Sequence, residues 1–375
     1  MNRITATFLC LMLCLAGTSL HATAFATEQT SVSAPSARSP ATPAQVVALK
    51  TPVVPAPLVR PFPAPVVTGT VAVPLSIDHT GATEVSAALN AFIATVPDGS
   101  IISFPTNAIY KLHISLYISG RNNLIFEGNG TTLQVDAAAD GTSAYASPFF
   151  LGIANGSNTD IVIHDFILIG NSPTPGIFIP GSEGQSNIHA SSTTRLEIYN
   201  VTGSASHADF VDASNDNGLW VHDCHVITAG RNCFSAEWSD WDVLVENCAF
   251  DVSGFITFDI EPYDESSVCS NITFRNCTVG TFHNYFFASL NGNGSTIDKI
   301  VVDGNTVTGG SLKTLANQNG AVRMTRIAFT NNKGGRAAAG SVLQFSHVDG
   351  LTVTGNVQPL SSGALKSIAD CTGAP

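Results

Sequence analysis

A nine-residue pattern recurs along this chain of 375 residues. Each copy reads apolar, any, apolar, any, then Asn, Asp or Gly, then Cys or Asn, and the clearest copies begin at Leu219, Val243, Ile272 and Ile300. From Leu196 onward the copies start 23, 24, 29, 28, 27 and 24 residues apart. A repeat of this length with alternating apolar residues is typical of a stacked solenoid, because one β-coil cannot bury its apolar face without a neighbour.

Each position of the pattern has a distinct structural meaning. Positions one and three face inward, and position five turns a corner, where Asn, Asp and Gly tolerate a left-handed backbone. Position six then faces inward and forms a column, in which stacked Asn side chains hydrogen-bond one another. In chain order this column contains Val201, Cys224, Cys248, Cys277, Asn305, Asn332 and Asn356.

The pattern therefore predicts an all-β fold, a right-handed parallel β-helix of about nine to ten coils. The right hand is expected because parallel crossovers adopt it almost without exception. An antiparallel sandwich with regular turns is the alternative.

The first 74 residues differ in composition from the repeats. A basic start, an apolar run too short to span a bilayer and the sequence Ala24-Phe25-Ala26 predict a secretory signal peptide over residues 1–26. Ten of the nineteen prolines lie between Pro35 and Pro74, so residues 27–74 are predicted to be a disordered Pro/Ala-rich linker. Residues 75–375 are then the β-helix domain of a secreted, periplasmic or cell-surface protein with no transmembrane segment in the mature chain.

The net charge limits the classes of binding partner, and the cysteine content limits the possible disulfides. The formal net charge of −12 argues against a nucleic-acid partner and opposes a bare polyanionic substrate. Six cysteines follow the predicted signal peptide, an even number that allows disulfides in an exported chain. The three in the inward column present parallel Cβ atoms about 4.8 Å apart, whereas a disulfide prefers about 3.8 Å. We expect a reduced, buried ladder there, and the pairing of Cys233, Cys269 and Cys371 stays open.

The segment before the coils contains a candidate helix. Thr83 is its predicted N-cap, apolar residues from Val85 to Val96 follow helical spacing, and Pro97-Asp98-Gly99 ends it. A strand is predicted to begin at Ile101.

This segment resembles the opening of pectate-lyase-like right-handed β-helix proteins. The matching residues are Asp78, Thr80-Gly81, Pro97-Asp98-Gly99, Phe104-Pro105 and Tyr110. The resemblance implies that the N-terminal helix covers the open end of the first coil, whose unpaired backbone groups would recruit other chains. It implies a fold rather than one activity, because the superfamily includes pectate lyases, polygalacturonases, alginate-active enzymes, epimerases and phage tailspikes.

Each long coil contains a second strand before the repeated pattern. Its apolar residues align Phe210, Phe234, Phe258 and Phe286. If these face inward, their neighbours form an outward polar group over three or four coils. Five of the polar residues are predicted to be catalytic: Glu237, Asp259, Glu261, Arg231 and His207. Five more are predicted to bind substrate, with the aromatic rings stacking on sugars: Asp209, Trp238, Tyr263, His283 and Tyr285.

The predicted carboxylate spacing allows more than one chemistry. Asp259 and Glu261 lie about 6.7 Å apart along one strand, and Glu237 lies about 4.8 Å from Glu261 across coils. Paired carboxylates suit a retaining or an inverting glycosidase. In a lyase, the same three carboxylates would hold Ca²⁺, while Arg231, His207 or Tyr285 abstracts a proton.

Two functions fit these features. The first is an exported carbohydrate-active enzyme that cleaves a polysaccharide at a lateral groove, by elimination or by hydrolysis. The second is a non-catalytic polysaccharide-binding, adhesin-like or tailspike-like surface protein, which the Pro-rich linker favours. A solvated sheet face with cross-strand pairs would also explain the polar group. The sugar, the linkage and the oligomeric state stay open.

Overall fold

A computed structural model describes residues 59–136, 146–181, 183–291, 294–318, 322–340 and 342–374. The predicted signal peptide and residues 27–58 of the predicted linker lie outside these ranges. The described part contains one helix, α1 (Ser86–Thr95). Its strands, in chain order, are β1 (Gly69–Ala72), β2 (Thr80–Glu84), β3 (Ser100–Ser103), β4 (Ile109–Leu112), β5 (Leu116–Ser119), β6 (Asn122–Val135), β7 (Phe149–Gly152), β8 (Asn158–Ile169), β9 (Ile188–Ser191), β10 (Thr193–Tyr199), β11 (Thr202–Ser204), β12 (Val211–Ser214), β13 (Asn217–His222), β14 (His225–Val226), β15 (Phe234–Glu237), β16 (Asp240–Glu246), β17 (Ala249–Ser253), β18 (Ile256–Glu261), β19 (Val268–Arg275), β20 (Thr278–Phe282), β21 (Tyr285–Asn291), β22 (Thr296–Asp303), β23 (Thr306–Val307), β24 (Thr314–Gln318), β25 (Met324–Thr330), β26 (Lys333–Gly334), β27 (Leu343–Thr354) and β28 (Lys366–Ala374).

The strands form three parallel faces that repeat from coil to coil. Face A runs through β10, β13, β16, β19, β22 and β25, and it contains the repeated pattern. Face B runs through β11, β14, β17, β20, β23 and β26. Face C runs through β5, β7, β9, β12, β15, β18, β21 and β24. The chain is thus a right-handed parallel β-helix, as the sequence predicted.

The repeated pattern is in register along face A. Leu219 lies between Leu196 and Val243, and Ile272 lies between Val243 and Ile300. All of these side chains are buried in the core. The corners after them adopt positive φ, from 49° at Asn200 to 69° at Gly355, as the residue types predicted.

The inward column at position six is confirmed by its contacts. Asn305 Nδ2 donates to Asn332 Oδ1 at 3.0 Å, and Asn332 Nδ2 donates to Asn356 Oδ1 at 3.1 Å. Each of these amides also donates to a backbone carbonyl one coil away. Cys224, Cys248 and Cys277 continue the column as buried thiols, and the Sγ atom of each lies 3.7–4.0 Å from a backbone carbonyl of the preceding coil. Cys233, Cys269 and Cys371 are free as well.

Asn332→Ala tests the amide column. The substitution removes a buried side chain that accepts from the backbone N–H of Asn305 and from its amide. We expect a loss of about 1–3 kcal/mol in the free energy of unfolding, measured by urea denaturation. Thr352→Ala on the outer side of face A is the control and should change it by less than about 0.5 kcal/mol. Equal effects of the two substitutions would contradict the role of the column.

The helix α1 occupies the place of a face C strand in the first coil. Leu89 and Ile93 are buried against that coil. Asn90 pairs with the edge strand β5 as a strand backbone would, because its Nδ2 donates to Ser115 O at 2.9 Å and its Oδ1 accepts from the Tyr117 N–H at 2.8 Å. The helix therefore covers the open end, as the resemblance implied.

The start of this helix differs from the prediction. Val85 is the N-cap and makes no side-chain cap hydrogen bond, and Glu84 Oε1 accepts from the Ser86 N–H at 2.5 Å. Thr83 bonds instead to Asp78, whose Oδ2 accepts from the backbone N–H of Thr83 at 2.7 Å and from its hydroxyl at 2.8 Å. Thr83 therefore stabilises the turn that precedes the helix rather than the start of the helix. Among the described residues, no helix has the length and hydrophobicity that crossing a membrane requires.

The ordered domain begins before residue 75. β1 lies inside the predicted linker, and its residues Gly69–Ala72 pair in parallel with Ser100–Ser103 of β3. This stretch contains no proline, so its backbone N–H groups can enter a ladder, unlike those of the proline-rich segment before it. The β-helix domain therefore begins before the predicted end of the linker at Pro74.

A second interior column contains acids. Asp216 and Asp240 are fully buried where face C passes into face A, and Asp240 Oδ1 accepts from the Asp216 N–H at 2.8 Å. Burial raises the pKa of Asp216 to about 7 and, together with the Asp216 charge, raises that of Asp240 well above its usual range. The fold therefore favours the protonated form of both carboxyl groups.

These two acids make stability depend on pH. An acid whose pKa is higher in the folded state stabilises the fold at low pH and loses this contribution as the pH rises from about 4 through the folded value. We expect Asp240→Asn, which cannot ionise, to flatten the decline in unfolding free energy between pH 5 and about 8. Urea denaturation at several pH values measures this. A variant that declines as steeply as the wild-type protein would refute the assignment.

Candidate functional site

An outward row of polar residues runs along face C. In β15, Phe234 and Ala236 are buried in the core, so Ser235 and Glu237 face outward. In the next coil, Asp259 lies in register with Ser235, and Glu261 lies in register with Glu237. The predicted alignment of Glu237 with Glu261 is therefore present in the structure.

The predicted alignment of four phenylalanines is wrong at two of them, Phe210 and Phe286. Phe234 pairs with Val211 rather than with Phe210, and Phe258 pairs with Phe287 rather than with Phe286. Both phenylalanines are buried one residue before the aligned position. Each of them has an apolar successor, so an alignment of apolar residues cannot distinguish the two registers, and a shift by one residue reverses the facing.

This correction brings Asp212 into the row. Asp212 lies in register with Ser235 and, on its other side, with His189 of β9. The sequence analysis missed both residues. The segments Ile188–Ser191, Val211–Ser214 and Phe234–Glu237 share the order apolar, polar, Ala, polar. Aligning their alanines, rather than the phenylalanines, would have identified the row.

Arg231 organises the acids of the site. Its Nε and Nη2 donate to the two oxygens of Asp209, at 3.0 and 2.6 Å. Nη2 also donates to Glu237 Oε1 at 2.6 Å, and Nη1 lies 3.8 Å from Glu261 Oε2. Burial alone would lower the pKa of Arg231, but the Asp209 carboxylate raises it well above its usual range. Arg231 is therefore a permanent cation that binds, and it is unsuited to abstract a proton.

Further hydrogen bonds hold the remaining acids. Ser235 Oγ donates to Asp209 Oδ2 at 2.8 Å, and Asn232 Nδ2 donates to Asp259 Oδ2 at 3.1 Å. We name the acidic cluster by its five acids and its arginine: Asp209, Asp212, Glu237, Asp259, Glu261 and Arg231. The acids outnumber the cation, so charge repulsion inside the cluster is relieved only in part.

The environments of the two glutamates differ strongly. The Glu237 side chain is 27% exposed and that of Glu261 is 41% exposed. Burial, with a contribution from the Asp212 carboxylate, raises the pKa of Glu237 to about 8, and Arg231 offsets only part of this shift. Burial and the Glu261 charge raise the pKa of Asp259 well above its usual value. Neighbouring carboxyl groups with raised pKa values suit acid–base chemistry.

The structure groups different acids from those predicted to hold Ca²⁺. Ligand atoms of Asp209, Asp212 and Glu237 lie within 4.8 Å of one another, whereas the predicted set was Glu237, Asp259 and Glu261. Two members of the observed group already bind the Arg231 guanidinium. The guanidinium thus supplies positive charge where a cation would be expected, and Ca²⁺ binding stays a prediction.

The remaining predicted residues lie at the edges of the site. Trp238 and Tyr263, which follow β15 and β18, stack on each other with ring centroids 4.2 Å apart. His207 precedes β12 and contacts the segment before β9, where its backbone N–H donates to Gln185 Oε1 at 2.6 Å. Burial lowers the pKa of His207. His283 is exposed before β21, and the Tyr285 ring lies 4.5 Å from Lys313 Nζ.

A separate cavity of about 590 Å³ lies beside face A. It is lined in part by Phe62, Arg195 and Arg275, and none of the acidic cluster contributes to it. Both arginines are already paired, Arg195 with Asp160 and Arg275 with Glu246. We favour the acidic cluster as the candidate site. Burying acids costs stability, and groups with strongly shifted pKa values are concentrated at functional sites.

The fold and the site together define a parallel β-helix protein with an acidic lateral cluster. The chain is similar in structure to the A-module of the mannuronan C-5 epimerase AlgE4 of Azotobacter vinelandii, with a TM-score of 0.44, 11% identity, and 82% of this chain and 100% of that chain covered. It is also similar to a family 28 exopolygalacturonase of Yersinia enterocolitica, with a TM-score of 0.40, 10% identity, and coverage of 82% and 79%.

A third similar structure is the tailspike gp49 of Acinetobacter baumannii bacteriophage Fri1, a capsular polysaccharide depolymerase. Its TM-score is 0.31, its sequence identity is 10%, and 81% of this chain and 62% of that chain are covered. No protein-family model and no curated protein sequence matches this chain. The fold assignment rests on the strand register described above.

Arg231→Gln tests the cohesion of the acidic cluster. The substitution leaves Asp209, which is fully buried, without its ion-pair partner. Breaking such a pair costs about 3–5 kcal/mol of unfolding free energy, which chemical denaturation at pH 7 measures. Arg326→Gln is the matched control, because Arg326 pairs with Asp298 but is 67% exposed, and it should cost less than about 1 kcal/mol. Similar costs for both variants would contradict the proposed organisation.

Proposed function

We propose that the acidic cluster hydrolyses a glycosidic bond of an uncharged polysaccharide. The observation that carries the proposal is the pair Glu237 and Glu261, in register on neighbouring coils and joined by Arg231. Glu237 holds a proton at neutral pH, since its pKa is about 8, and Glu261 is the more exposed carboxylate. This division of roles is the one that glycoside hydrolysis requires.

In this mechanism Glu237 donates its proton to the glycosidic oxygen as the bond to the anomeric carbon breaks. Glu261 acts on the anomeric carbon directly or activates the attacking water. Retaining enzymes separate the two carboxyl groups by about 5–5.5 Å and inverting ones by about 6.5–9.5 Å. Contact of both side chains with one guanidinium favours the shorter separation. Water then hydrolyses the glycosyl–Glu261 intermediate, with Glu237 acting as the base.

Charge supports an uncharged substrate over a polyuronate. The cluster contains five acids, and its arginine is bonded to two of them. The whole chain has a net charge of −12, so an anionic polymer would be repelled. A lyase also needs a base and a cation for the uronate carboxylate, and Arg231 is already committed to Asp209 and Glu237.

Turnover of polysaccharide panels by the full chain tests this function. We expect reducing ends to be released from xylan, mannan or β-glucan, with and without chelator, and none from alginate or polygalacturonate. Release of an unsaturated uronate, seen by its ultraviolet absorbance, would instead indicate elimination. Binding to a polymer without release of any product would favour the adhesin-like alternative.

Substitution of the two glutamates tests their roles. Glu237→Gln and Glu261→Gln should each lower kcat about 10²–10⁴-fold, with an unchanged circular dichroism spectrum. Asp251→Asn, an exposed acid on face B, is the control and should turn over normally. The wild-type kcat/KM should fall as the pH rises above about 8, because Glu237 then loses its proton. Normal turnover by both glutamine variants would disprove the assignment.

A further inference from the structure

His189 lies in the same outward row as the acidic cluster, one coil before Asp212 and three coils before Asp259. The register links His189 to Asp212, Asp212 to Ser235, and Ser235 to Asp259. On the other side, His189 lies in register with Phe150. The proposed hydrolysis does not use this histidine.

Two contacts hold the His189 ring in place. Its Nδ1 lies 2.7 Å from Asp212 Oδ2, and its ring stacks on Phe150 with centroids 4.4 Å apart and an interplanar angle of 22°. Phe150 in turn stacks on Tyr117, with centroids 5.4 Å apart. A buried carboxylate and a stacked ring together fix both the orientation and the tautomer, with the proton on Nδ1.

The other ring nitrogen is available. The His189 side chain is 26% exposed. Within the described ranges, Nε2 makes no hydrogen bond and is not buried. The titratable groups that act on the ring are Asp212, Glu237 and Asp216. Burial alone would lower the pKa of His189, but Asp212 raises it overall. In the imidazolium form Nε2–H donates, and in the neutral form with the proton on Nδ1 the same atom accepts, so a hydroxyl group can pair with either form.

We propose that His189 forms a sugar-binding subsite that adjoins the Glu237–Glu261 pair, in which Nε2 hydrogen-bonds a hydroxyl group of the polysaccharide. The inference rests on the proposed function, because the subsite and the Glu237–Glu261 pair would bind the same polysaccharide chain. Three coil steps of about 4.8 Å separate the level of His189 from that of Glu261, or about 14 Å. A ligand that contacts both is longer than a monosaccharide and runs along the solenoid axis.

Substrate length separates this role from a structural one. For a long oligosaccharide of the polymer that the wild-type protein cleaves, we expect His189→Gln to raise KM about tenfold or more, the loss of one hydrogen bond to a charged group, with kcat nearly unchanged. For an aryl monosaccharide of the same sugar, which is too short to reach the subsite, kcat/KM should be unchanged. His189→Phe keeps the stacking on Phe150 but lacks Nε2, and it should behave like His189→Gln.

His164 offers a matched control. Its Nδ1 lies 2.8 Å from Asp165 Oδ2, and its ring stacks on Tyr199 with centroids 4.7 Å apart, but it belongs to face A. His164→Gln should leave KM for the long substrate unchanged. An unchanged KM in both His189 variants would overturn the subsite, and so would an equal rise in the His164 variant.

Binding assays separate failure of the subsite from failure of the proposed function. If the wild-type protein binds xylan, mannan or β-glucan but releases no product, hydrolysis is wrong. A tenfold weaker Kd of His189→Gln for that polymer would then still support the subsite. If the wild-type protein cleaves a polymer and His189→Gln binds and cleaves it normally, the subsite alone is wrong.

Discussion

In-register stacking of the coils is the interaction on which the rest of this structure depends. Each coil satisfies the backbone groups of the next, so residues at one position of the repeat lie about 4.8 Å apart in a column. A residue type that suits its own kind strengthens the column, as the amides of Asn305, Asn332 and Asn356 do. The same rule places unlike residues side by side, and the acidic cluster arises in this way.

In the acidic cluster, the stacking of coils holds like charges close together, although they repel one another. Successive coils bring Glu237 next to Glu261 and place Ser235 between Asp212 and Asp259, in a chain with only 12% charged residues. Arg231 reaches across from the turn before β15 and binds the buried Asp209 together with Glu237. One cation cannot neutralise five acids, so part of the charge is removed by protonation, which is what the raised pKa values of Glu237 and Asp259 express.

The costly polar groups are concentrated in a few neighbouring coils. Burial also raises the pKa values of Asp216 and Asp240, in the interior column of the same coils. Away from these coils the polar column is satisfied by amides, and the core is aliphatic and aromatic. A solenoid whose acids with raised pKa values lie in one stretch of coils concentrates its chemistry at that stretch, and His189 extends it by one coil toward the N-terminus.

The sequence by itself determined the coil. Leu219 inside, Asp223 at the corner and Cys224 in the column are residue types that suit a stacked β-coil. The same types recur at these positions in successive repeats. It also determined that Glu237 would meet Glu261. Only the tertiary structure decided the register of face C at Phe210 and Phe286, and with it the places of Asp212 and His189. The reason is physical: adjacent apolar residues leave a one-residue shift undecided locally, and packing across the core selects one register.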